Sequence, residues 1–106
     1  YKGAVGGISV SIEEGQEAAK LCVLNALSVI KKHVGSLGKL IRVVKLTGYV
    51  NSAPAFYKQP QVINGASDFL VDAFGDAGRH ARAAVGVSAL PLDASVELDL
   101  VVEVAS

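Results

Sequence analysis

The chain is poor in reactive and cross-linking groups. Its 106 residues include one cysteine, two histidines, six aromatics and no methionine or tryptophan. A lone Cys22 excludes an internal disulfide and fits a reducing cytoplasm. His33 and His80 have no third ligand at metal spacing, so structural or surface roles are expected rather than zinc. Gly3, Gly6 and Gly7 lack both the spacing and the preceding strand of a phosphate-binding loop. Ten basic residues balance ten acidic ones, scattered along the chain. Without a basic cluster or an aromatic-basic stripe, no nucleic-acid partner is expected. No apolar run approaches the ~20 residues of a membrane span, because charges or glycines interrupt each candidate. No Ser-His-Asp arrangement assembles from the motifs. No signal-peptide pattern is read in these residues, and the start at Tyr1 without an initiator methionine predicts missing upstream sequence.

What is abundant is apolar surface. Hydrophobic residues make up 51% of the chain, and mean hydropathy is +0.43. One domain over residues 1–106 has enough for a core. The excess predicts burial against further copies of the chain.

Ser11-Ile-Glu-Glu14 is a capping box, in which hydroxyl and carboxylate satisfy each other's backbone donors. It predicts a helix from Ile12 to about Val34, stopped by Gly35. Its expected apolar face is Ala18, Leu21, Cys22, Ala26, Val29, Ile30 and His33 or Val34. Leu40–Val50 reads as a strand, with Gly48 marking a bulge. A proline-punctuated loop to Pro60 precedes a second helix, roughly Gln61–Phe74, with Val62, Ala66, Phe69, Leu70 and Ala73 as its buried stripe. Alternation over Arg82–Ala89 and Val96–Val104 reads as a β-hairpin. Its register would pair Ala89 with Val96 and turn Ala83, Val85 and Val87 toward the helices. The order α-β-α-β-β predicts an α+β fold, a mainly antiparallel sheet with two helices on one face. Arg82, Ala84, Gly86, Ser88 and Glu97 would share the uncovered face, with Arg82 and Glu97 roughly 20 Å apart at about 3.3 Å per residue. The small-residue stripe Ala84-Gly86-Ser88 would be a contact between copies, so Gly86→Leu would break assembly.

Arg82-Ala-Ala-Val-Gly-Val-Ser-Ala-Leu-Pro91, followed by Val96-Glu-Leu-Asp99, resembles the C-terminal motif of the Rid family, also called YjgF-type or L-PSP endoribonuclease-like. The likeness extends through Glu13–Ala19, Lys45–Asn51 and Gln59–Gly65, and is nearest to a chorismate-mutase-like branch. It implies a homotrimer in the cytoplasm with small-molecule clefts between subunits. There, reactive enamines or imines are hydrolysed to 2-oxo acids and ammonia without metal or cofactor. By that resemblance Arg82 grips a substrate carboxylate, Glu97 orients or activates water, and Asn64 lies near the cleft. Ala84 lines the pocket where the family often has cysteine. The family's N-terminal strands, which add a tyrosine and a Ser-Gly-Gln turn to the pocket, have no counterpart before Tyr1.

Read from the residues alone, Arg82 is a solvated partner of Glu103, Glu97 an exposed carboxylate and Asn64 a helix-surface amide. Cys22 is then a small core residue. Three functional classes follow: imine deaminase, non-catalytic carboxylate-binding trimer, and the nucleic-acid enzyme that the older family name suggests. Neutral charge argues against the third.

Overall fold

The computed structural model describes residues 1–105. Helix α1 spans Ile12–Val34, and its capping box is formed. Ser11 Oγ accepts from the Glu14 N–H and Glu14 accepts from the Ser11 N–H, both at 3.1 Å. Gly35 ends the helix in the left-handed region at φ 90°, a conformation glycine adopts freely. Helix α2 spans Gln59–Phe74, with Pro60 in its first turn. Strands β1 (Leu40–Asn51), β2 (Ala81–Val87) and β3 (Val96–Val104) form one sheet in the order β2-β1-β3.

That order corrects the hairpin. Strands β2 and β3 do not pair; β1 lies between them, parallel to β2 and antiparallel to β3. The α+β class holds, with two helices on one face of a mixed sheet. The β1-α2-β2 segment is a parallel crossover, and its length of chain is what such a connection needs. Pro91–Ser95, read as a hairpin break, instead belongs to the connection from β2 to β3, which crosses about two strand spacings, roughly 10 Å.

Pairing also sets which side chains share a face. Leu46, Gly48 and Val50 of β1 lie beside Leu100, Leu98 and Val96 of β3 and beside Arg82, Ala84 and Gly86 of β2. Leu46 and Val50 are fully buried, so this is the helix-covered face. The open face carries Lys45, Thr47 and Tyr49, with Ala81, Ala83 and Val85 on one flank and Val101, Asp99 and Glu97 on the other. The expected assignment of β2 is therefore inverted. Because β2 is an edge strand, its helix-side residues sit at the margin of the core. Alternation alone favoured the more apolar set.

The core joins Val23 and Leu27 of α1, Ile63, Ala66 and Leu70 of α2, and Leu46 and Val50 of β1. The buried stripe of α1 is Gly15, Ala18, Ala19, Val23 and Leu27, about one residue away from the expected face. Leu21, Val29 and His33 are exposed. On α2, Val62, Ala66 and Leu70 are buried as expected, Ile63 joins them, and Ala73 is exposed. The β1 bulges fall at Leu40/Arg42 and Val43/Lys45, not at Gly48. Gly48 is required by packing, since a Cβ there would enter the Ile63 side chain.

Candidate functional site

Between α2 and the outer margin of β2 lies a cleft of about 310 Å³. Helix α2 contributes Asn64, Ser67, Asp68 and Val71, which recur at helical spacing beside the buried stripe. Arg79, His80 and Arg82 close the other side. His80 and Arg82 are two residues apart on an extended chain, so both point toward α2.

Arg82 and Asn64 meet across the cleft. Arg82 Nη1 donates to Asn64 Oδ1 at 2.6 Å and to Ser67 Oγ at 3.4 Å. Its Nε and Nη2 have no hydrogen-bond partner among the described residues. A planar guanidinium held from one side at a cleft mouth retains donors for a carboxylate. Arg79 adds a second cation, although its Nε is tied to Asp76 at 3.2 Å in an exposed pair. Two guanidinium groups, Arg79 and Arg82, against Asp68 give the cleft a preference for anions.

The other named residues lie elsewhere. Glu97 is exposed on the open face of β3, with the whole of β1 between it and β2. It does not share a face with Arg82 as the hairpin implied, and within one chain the two do not meet. Ala84 packs half-buried against the core and lies outside the cleft lining. Glu103 pairs with Arg42 at 3.1 Å, so it is not the partner of Arg82. Cys22 is half-buried and its thiol donates to the Val96 carbonyl at 3.5 Å. Burial pushes that thiol above its ordinary range, which leaves little thiolate for nucleophilic work at neutral pH. On the open face the Tyr49 hydroxyl donates to Asp99 at 3.3 Å, and that carboxylate raises the phenol's pKa. No cluster of three or more metal-ligating side chains occurs among the described residues.

Sequence reasoning missed Ser67 and His80, whose side chains are hydrogen-bonded at 2.9 Å. The signal was present. Asn64, Ser67, Asp68 and Val71 form a helical stripe, and His80 alternates with Arg82.

The family described as "YjgF/chorismate mutase-like, putative endoribonuclease" matches residues 1–104. "Protein TCP17" of Trypanosoma cruzi is 49% identical over 98 residues, covering 92% of this chain and 61% of that protein. The crystal structure of the protein Atu1372 from Agrobacterium tumefaciens, of unknown function, is similar with a TM-score of 0.95. It is 48% identical, with 98% of this chain and 66% of that one covered. The structure of "a putative endoribonuclease" from Shewanella oneidensis MR-1 is similar at a TM-score of 0.93 and 32% identity, covering 98% and 68%. The chain thus spans about six-tenths of the length of the curated relative it matches.

Proposed function

The chain belongs to the YjgF/chorismate-mutase-like family, and from that premise we propose that the Arg82 cleft binds the carboxylate of small 2-imino acids and supports their hydrolysis to 2-oxo acids and ammonia. One observation carries the reading. Arg82 is held at 2.6 Å by Asn64 in an anion-favouring cleft, with two guanidinium nitrogens still free among the described residues. A carboxylate docked on that fork fixes the neighbouring imine carbon against the polar wall of α2. That is the positioning a water addition requires.

Assembly into a homotrimer belongs to the same proposal. What supports it is the open sheet face, where Ala81, Ala83, Val85 and Val101 are exposed in the single chain. Its β2 flank is apolar and its β3 flank acidic. A contact between unlike flanks is head-to-tail, and with a three-fold rotation between neighbours it closes into a ring. Glu97, on the acidic flank, then reaches an Arg82 cleft only from a neighbouring subunit. Light scattering is expected to give three times the chain's 10.9 kDa. Val85→Glu is expected to lower that mass, because it sets an unpaired carboxylate against the neighbour's acidic β3 flank, and a buried uncompensated charge costs several kcal/mol. Gly86→Leu no longer tests this surface, since a side chain there would meet Gln59 and Ser52 on the helix side.

The activity test is loss of an imine made in situ from serine or threonine by a dehydratase. Arg82→Ala and Glu97→Gln are each expected to be inactive alone. Co-expressed, they are expected to regain part of the turnover through mixed trimers with one intact cleft. No turnover by the wild-type protein, with carboxylate binding retained, would favour the non-catalytic binding trimer.

A further inference from the structure

Ser67 lies on α2 and His80 just ahead of β2, and the crossover between those elements brings the two together.

 The two side chains are in contact, with Ser67 Oγ 2.9 Å from His80 Nε2. The other ring nitrogen, Nδ1, lies 2.6 Å from the Gly78 carbonyl oxygen. A carbonyl only accepts, so Nδ1 carries the hydrogen and Nε2 of the neutral ring is the acceptor. The Ser67 hydroxyl therefore donates to His80. The orienting carbonyl is itself fixed, because Gly78 is buried and a side chain there would run into the Leu70 carbonyl. On its other side Ser67 Oγ receives Arg82 Nη1 at 3.4 Å. The hydroxyl thus stands between a base and the cation that would hold the substrate.

We propose that Ser67 and His80 form the proton-transfer pair of the Arg82 cleft, an assignment that rests on the imine-hydrolysis reading above. Water adds to the imine carbon, giving one proton to Ser67 while Ser67 passes its own to His80 Nε2. The C=N π pair moves to nitrogen, which takes a proton from solvent. In the resulting carbinolamine the C–N bond breaks with its pair on nitrogen. Ammonia leaves with the proton returned from His80 through Ser67, and the hydroxyl proton goes to solvent as C=O forms. Protons and electrons balance without a further reactant. The charged groups around the ring are Asp68 on α2 and Arg79 and Arg82 on the β2 side.

Imine turnover over a range of pH, measured on the assembled protein, tests the assignment. His80→Gln is expected to lower kcat about 10²-fold or more, leave KM near its wild-type value, and remove one limb of the pH profile. Ser67→Ala is expected to lose about tenfold, because water can replace the hydroxyl in the relay, and Ser67→Thr to restore it. Unchanged kcat and pH profile in His80→Gln would overturn the role. So would a covalent adduct on Ser67, which would make the serine a nucleophile. Imidazole nitrogen NMR in a His33→Gln background supplies a readout independent of turnover: hydrogen on Nδ1 is expected, and hydrogen on Nε2 would overturn the proposal. Absence of wild-type turnover would sink the imine reading itself.

Discussion

Arg82→Ala is expected to weaken binding of a small 2-oxo acid by about ten- to hundredfold in calorimetric titration. Charge-assisted hydrogen bonds contribute roughly 1.5–3 kcal/mol, and about 1.4 kcal/mol is a factor of ten in affinity. Arg82→Lys is expected to lose nearly as much. Lysine keeps the charge but presents a point donor in place of a planar fork. Both variants are expected to stay folded, because Arg82 is exposed on an edge strand and its partners Asn64 and Ser67 remain open to the cleft. Glu97→Gln is expected to leave affinity nearly unchanged while turnover falls. Unchanged affinity in Arg82→Ala would remove the cleft as the ligand site.

Much of this architecture is legible in the residues. The capping box and Gly35 bracket α1, and Pro60 and Gly75 bracket α2 to within two residues. Strand periodicity locates β2 and β3, because alternation is a local property. It does not say which strand lies between them. That depends on the long-range choice of β1 as the central strand, and the open face of the sheet follows from the same choice. An error there moved Arg82 to the wrong face, the one that carries Glu97. Arg82 meets Asn64 because the crossover packs α2 against β2. Ser67–His80 stayed hidden for a related reason. Each residue is unremarkable on its own element, and only the packing of α2 against the β2 margin brings the two together.

Gly65→Ala is expected to be strongly destabilising although alanine is the better helix former. Gly65 lies where α2 crosses α1, and a Cβ there would fall on the backbone carbonyl of Gln16. Backbone cannot rotate aside as a side chain can, so the helices must separate. Overpacking of this kind costs ~1–3 kcal/mol, or more where backbone is involved, against a propensity gain of about 0.5–1 kcal/mol. For a domain of this size each kcal/mol moves Tm by roughly 4–8 °C. A fall of about 5–15 °C is therefore expected in thermal unfolding. Gly15→Ala, on the facing helix, is the contrast. Its Cβ would meet the methyl groups of Val62 and Val5, at 3.1 Å or more, and those side chains can give. Its expected change is within about 1 kcal/mol of zero. The Gly65 effect should extend to ligand binding, because Asn64 and Ser67 ride on the displaced helix and bond to Arg82, at 2.6 and 3.4 Å. At a temperature where Gly65→Ala remains folded, its affinity for a 2-oxo acid is expected to fall while that of Gly15→Ala does not. Equal Tm for Gly65→Ala and the wild-type protein would mean that α1 and α2 do not approach as closely as the glycine requires.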